Sequence, residues 1–208
     1  MAELVVRPLA RVGLTPNMVS VLGFGLNVGV AYVLATGNLR LGGVLLLLAG
    51  AADMLDGALA RITQSQSTFG AFFDSVLDRY SEAAIVVGLT YTYTVHHNTT
   101  AVVLLLAFLV GSFMISYTRA RAEGLGLECK VGLLPRPERI IILGLGLLLG
   151  ILVPVLILLV ALTAATALQR IYHVWRQTLQ PSAGRSPAQQ SNTSLPATTG
   201  MGEAREEA

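Results

Sequence analysis

Residues 44–78 read VLLLLAGAADMLDGALARITQSQSTFGAFFDSVLD, an oily run carrying four aspartates, Asp53, Asp56, Asp74 and Asp78, on either side of a short polar break. An ionised carboxylate at bilayer depth costs roughly 2.5–3.5 kcal/mol on insertion scales, so acids in an apolar chain ordinarily face a wet, functional cavity. Asp53 and Asp56 are three apart on one predicted helix and Asp74 and Asp78 four apart on the next, so each pair projects from one helical face. Two facing pairs make one acidic pocket. Carboxylate oxygens with no Cys or His nearby suit hard divalent ions, Mg²⁺, Mn²⁺ or Ca²⁺, and Mg²⁺ commonly joins carboxylates to substrate phosphates. Gly57 and Gly70 let a backbone or ligand approach closely beside the acids, and Arg61 adds a planar fork matched to phosphate.

The rest of the chain sets the solvent for this pocket. Of 208 residues 53% are apolar and 12% charged, and mean hydropathy is positive. That composition indicates an integral membrane protein. A single membrane domain is expected over residues 1–177. Residues 178–208, rich in Ser, Thr, Pro, Gln, Ala and Gly, lack the apolar periodicity to bury a core and read as a disordered tail. A net charge of +2 with dispersed basic residues excludes a nucleic-acid partner. Cys129 is alone, which rules out an intramolecular disulfide or a thiolate cage, and it reads as a bystander in an interfacial loop. Arg7 and Arg11 precede a long apolar run without a cleavage site, so the first span is expected to stay in the membrane.

Runs long enough to span a bilayer fall near 17–36, 41–60, 69–95, 100–120, 137–153 and 154–175. The expected fold is therefore an all-α integral membrane protein of six transmembrane helices. A short amphipathic helix over 3–13 precedes them in the membrane interface. Gly37-Asn38, His96-His97-Asn98 and Pro154 mark turns on one side, and 61–68, 121–136 and the C-terminus mark the other. Of fourteen Lys and Arg residues only Arg40 falls on the first side. The second side is then cytoplasmic by the positive-inside rule, and both acidic pairs lie near it. His96 and His97 fall in the opposite loop and read as a solvated turn. Gly23-x-Gly25 and Gly144-x-Gly146 suit close helix packing or dimer contact.

Residues 53–78 match, at all eight fixed positions, the pattern D-x2-D-G-x2-A-R-x8-G-x3-D-x3-D. In this the chain resembles the CDP-alcohol phosphotransferase family, and the likeness extends over about 8–176, from Leu14-Thr15-Pro16-Asn17 to the last apolar segment. The resemblance implies transfer of a phosphatidyl-type group from a CDP-linked lipid to an alcohol, with release of CMP, in phospholipid synthesis. It implies Mg²⁺ or Mn²⁺, as two ions, on Asp53, Asp56, Asp74 and Asp78. It makes Asp78 the catalytic base, Gly57, Arg61 and Gly70 the CDP-lipid site, and the protein a homodimer.

For the acceptor, the informative segments are Ser116-Tyr117-Thr118-Arg119-Ala120-Arg121-Ala122-Glu123 and Arg136-Pro137-Glu138-Arg139. Arginines at cytoplasmic helix ends can clamp a phosphate. These segments resemble the inositol-phosphate-using branch of the family, which implies that Ser116, Arg119, Arg139 and Arg170 bind the acceptor phosphate of inositol 1-phosphate. Position 119 departs from the Lys expected in that branch. Glycerol 3-phosphate is the alternative acceptor. A divalent-cation transporter would also place carboxylates in membrane helices, but the external halves offer no second acidic station. A non-catalytic scaffold would not need every motif aspartate.

Overall fold

Six helices form in the order α1 (Pro16–Ala35), α2 (Leu39–Thr63), α3 (Thr68–Val95), α4 (Thr99–Gly124), α5 (Arg136–Leu149) and α6 (Leu152–Leu179). The computed structural model describes residues 16–63 and 67–179, with the side chains of Pro16 and 54–63 outside the description. The amphipathic helix expected over 3–13 and the tail from 180 onward also lie outside it.

The turns follow from local chemistry. Asn98 accepts the Ala101 amide at 3.0 Å and starts α4, and Ser67 accepts the Gly70 amide at 2.9 Å and starts α3. Both are side-chain N-caps that satisfy amides the helix itself leaves without partners. Gly37, with φ at +87°, turns α1 into α2. The break between the last two helices is not at Pro154, where the sequence places it. Gly150 takes the left-handed conformation, φ 71°, and closes α5, while Pro154 is the third residue of α6. A proline in the first turn removes an amide that has no helical acceptor anyway, so Pro154 fits the helix instead of breaking it.

Helix α1 packs on α3, α4 on α6 and α2 on α5, and the turns join these pairs into one bundle. A continuous apolar core runs through it, built on Leu34, Leu46, Leu89, Phe108, Leu147 and Leu156, all fully buried. Thr92 ties α3 to α1 by donating to the Leu34 carbonyl at 2.6 Å. The outward faces are apolar too: Leu26, Leu48, Val87 and Val110 are each more than half exposed. Such surface is a liability in water and is matched by lipid tails. Helices α1, α4 and α6 are long and apolar enough to cross a membrane. Helix α2 carries Asp53 and Asp56, and α3 carries Asp74, Asp78 and Glu82 with Arg79. Helix α5 has 14 residues, about 21 Å at 1.5 Å per residue.

Gly88 allows α3 to approach the α1 backbone closely, since a Cβ there would stand 2.3 Å from the Ala31 carbonyl oxygen. Gly144 similarly faces Leu47, and Gly146 faces Val155. Of the paired glycines read from sequence, these two serve packing within the chain, while Gly25 meets open space. Gly88→Ala is expected to destabilise the protein by about 1–3 kcal/mol, the range for overpacking. Thermal unfolding in detergent checks this against Gly25→Ala, which is expected to be close to neutral.

Candidate active site

The acidic residues share one end of the bundle because α2 ends at Thr63 and α3 begins at Thr68, so the end of one is close along the chain to the start of the other. Asp53 and Asp78 meet there through a cation. The Arg136 guanidinium, on the first residue of α5, bonds Asp53 through Nη1, and the same nitrogen lies 2.7 Å from Asp78 Oδ1. The other Asp78 oxygen is 3.6 Å from Arg79 Nη1. Asp74 is more exposed and accepts the Ser20 hydroxyl at 2.8 Å. Asp53 and Asp74 both lie within electrostatic range of Asp78. Three of the four predicted carboxylates therefore gather in one place. The side chains of Asp56, Gly57's neighbours and Arg61 fall outside the described residues, although the α2 backbone continues through them to Thr63.

Gly70 lies in the first turn of α3, where a Cβ would come within 3.0 Å of Asn17 Oδ1 and 3.1 Å of Ser67 Oγ. Its lack of a side chain brings the start of α1 against the start of α3. Next to Asp53 and Arg136 a cleft opens, lined also by Asn27, Leu47, Gly50 and Pro137. Its walls are mostly apolar and its floor is charged, a combination suited to a ligand with a polar head and a greasy body.

Among the described residues no three His, Cys, Asp or Glu side chains converge closely enough to hold an ion. The carboxylates that are described nevertheless present hard oxygen donors, and Arg136 already seats a positive charge between two of them. That chemistry fits Mg²⁺ or Mn²⁺.

One turn deeper lies a second ion pair. Arg139 donates through Nε and Nη2 to the two oxygens of Glu82 at 3.0 and 3.1 Å, and through Nη1 to the Leu134 carbonyl at 3.2 Å. Both side chains are fully buried, at 3% and 4% exposure. Arg170 is also buried and donates to the carbonyls of Val131 and Ile115, so it stitches the 125–135 loop to α4 and α6. Arg119 is half exposed and pairs with Glu123 at 2.8 Å. Ser116 is half-buried on the same helix. Arg119 and Arg139 both lie within electrostatic range of Arg170, so the arginines predicted for the acceptor do share one region. They differ in accessibility: Arg119 is half exposed at the surface, and Arg139 and Arg170 are buried.

Sequence reading placed Arg136 in a basic segment without assigning it to the acids, and it did not single out Glu82. The available signal was spacing: Arg136 and Arg139 are three apart on α5 and Asp78 and Glu82 four apart on α3, two matched pairs on facing stripes. Cys129 does sit in the loop, but it points inward and is fully buried.

A bundle with paired acids beside a half-apolar cleft at one end defines a class of membrane-associated enzyme acting on phosphate compounds. Residues 13–179 match the model of the CDP-alcohol phosphatidyltransferase family, and the chain belongs to that family. It is 38% identical over 177 residues to the archaetidylinositol phosphate synthase of Methanothermobacter thermautotrophicus, covering 82% of this chain and 88% of that protein. It is 36% identical over 206 residues to the phosphatidylinositol phosphate synthase of Corynebacterium glutamicum, covering 94% and 91%. In structure it resembles the Mycobacterium tuberculosis phosphatidylinositol phosphate synthase. The crystal structure of that enzyme with CDP-DAG bound aligns with a TM-score of 0.77 at 34% identity, over 84% of this chain and 94% of that one. Its complex with manganese and citrate aligns with a TM-score of 0.78 at 33% identity, over 98% and 97%. The chain is thus an enzyme of the CDP-alcohol phosphatidyltransferase class, which sets aside the transporter and scaffold readings.

Breaking the buried pair tests its role in the architecture. Glu82→Gln leaves the Arg139 charge buried without a counter-charge and is expected to cost about 3–5 kcal/mol, while Glu82→Gln combined with Arg139→Gln costs less than either change alone. Unfolding midpoints in detergent for the three variants measure this.

Proposed function

We propose that the protein transfers the phosphatidyl-type group of a CDP-linked lipid to inositol 1-phosphate, releasing CMP, at the cytoplasmic face of a membrane spanned by all six helices. The observation that carries this reading is the juxtaposition of two charge clusters at one end of the bundle. One gathers Asp53, Asp74 and Asp78 around Arg136 and Arg79, with acids in excess, and the other gathers Arg119, Arg139 and Arg170 around Glu82 and Glu123, with arginines in excess. The first suits a metal-bound pyrophosphate and the second an acceptor that itself carries phosphate. A plain alcohol has no use for the second cluster. Support comes from relatives named archaetidylinositol phosphate synthase and phosphatidylinositol phosphate synthase.

In this reading Asp53, Asp56, Asp74 and Asp78 hold Mg²⁺ or Mn²⁺, as two ions. The metal supplies charge neutralisation to the pyrophosphate and orients it. Arg61, with Gly57 and Gly70 allowing close approach, binds the CDP end. The acyl or ether chains lie along the apolar walls of the cleft and between helices, so the substrate need not leave the bilayer. Ser116 and Arg119 meet the acceptor phosphate at the mouth, with Arg139 and Arg170 adding positive potential beneath. The acceptor hydroxyl oxygen then bonds the lipid-side phosphorus, the bond from that phosphorus to CMP breaks, and the hydroxyl proton passes to the Asp78 carboxylate. The protein works as a homodimer, with the tail after 177 dispensable.

Purified protein with Mg²⁺ and CDP-diacylglycerol is expected to release CMP with inositol 1-phosphate and not with glycerol 3-phosphate. Release with glycerol 3-phosphate alone would keep the reaction and overturn the acceptor. Asp78→Asn is expected to lower turnover by about 10²- to 10⁴-fold, the usual worth of a positioned acid or base, while CDP-lipid binding persists. Turnover at the wild-type rate would remove Asp78 as the base.

A further inference from the structure

The position of Arg136 raises a question of occupancy. Its guanidinium bridges Asp53 and Asp78, two of the carboxylates read above as metal ligands, and it is mostly shielded from solvent. One nitrogen, Nη1, bonds both Asp53 Oδ2 and Asp78 Oδ1, the place an ion joining these two oxygens would take, and the guanidinium charge there also repels a divalent ion. A divalent ion and the Arg136 guanidinium therefore exclude each other from these oxygens.

Two further observations indicate that the present seat of Arg136 is one of two. Its Nε is buried with no hydrogen-bond partner, so the guanidinium is incompletely satisfied there, and an unmet buried donor is costly. Arg139, three residues on, has all three of its guanidinium nitrogens bonded. Arg136 also lines the cleft beside Asp53, so a rotation of its side chain carries the charge into an open space without moving α5. Helix α5 itself is anchored by Arg139 and Glu82.

We infer that Arg136 is a tethered counter-ion for Asp53 and Asp78, displaced by the divalent metal and released into the adjacent cleft, where it becomes available to an anionic group of the bound substrate. Without metal it neutralises carboxylates that would otherwise repel one another. With metal it changes from internal partner to anion-binding residue, so the metal prepares the cleft for a phosphate. The inference rests on the metal-site reading under Proposed function.

The test needs no turnover. Detergent-purified wild-type protein is treated with phenylglyoxal, an arginine-specific reagent, with and without Mn²⁺, and modification at each arginine is read by peptide mass spectrometry. Mn²⁺ binding is measured in parallel by electron paramagnetic resonance of the free ion. Expected is a several-fold rise in Arg136 modification with saturating Mn²⁺, with Arg139 protected in both conditions, and Mn²⁺ binding about tenfold tighter in Arg136→Gln than in Arg79→Gln. The second variant removes a charge that also flanks Asp78 but does not bridge. Mn²⁺ binding with unchanged or reduced modification of Arg136 overturns this inference alone. No Mn²⁺ binding overturns both it and the metal-site reading. The wild-type footprint decides the matter even if Arg136→Gln does not fold.

Discussion

A carboxylate withdrawn from bulk water needs a positive neighbour, and the charged end of this bundle is organised by that need. Asp78 has Arg136 and Arg79, Asp53 has Arg136, and Glu82 has Arg139. Helices α3 and α5 are not among the directly packed pairs, so these arginines reach across the interior to join them. Only a side chain as long as arginine, with donors spread over a planar fork, can cross such a gap and still meet two oxygens at once. The apolar core holds the rest of the bundle by shape, and charge pairing holds this end.

How much of this was legible beforehand depends on the range of the interaction. The helices were readable because each is a run of apolar residues between polar turns, and their bounds fall within a few residues of expectation. Pro154 was misleading because proline breaks a helix only beyond its first turn, and the turn itself was made by Gly150. The acidic cluster was readable because its members lie on adjacent helices joined by a short loop, so order along the chain nearly fixes their meeting. Arg136 and Glu82 were not assigned because their meeting depends on how α5 is set against α3, helices separated by α4. The matched spacing of Arg136 and Arg139 with Asp78 and Glu82 is compatible with that placement but does not fix it. The buried state of Arg139 and Arg170 was hidden for the same reason: an arginine at a helix end is ordinarily a surface residue, and only the carbonyls and Glu82 make burial tolerable.

The two basic layers have separate physical roles. Arg119, beside Glu123 and partly in solvent, keeps a weak exposed pair that an incoming anion can replace at small cost. Arg170 is bound to backbone carbonyls, which are dipoles and not full charges, so its positive field is only partly offset. That leaves a net attraction for anions at the mouth without leaving a strong ion pair to break.

The spacing of the two rungs between α3 and α5 has a mechanical side. Arg136 meets Asp78 and Arg139 meets Glu82 on helices that run in the same direction. A slide of α5 by one turn, about 5.4 Å, would bring Arg139 level with Asp78 and strand Glu82 with no cation in a buried position. Smaller slides would stretch both bridges together. The rungs therefore act as a detent with a single stop, fixing the depth of α5 in the bundle and confining motion at this end to side-chain rotation and to the 125–135 loop. The edges of the bundle can thus give while the axis through its charged groups stays at one height.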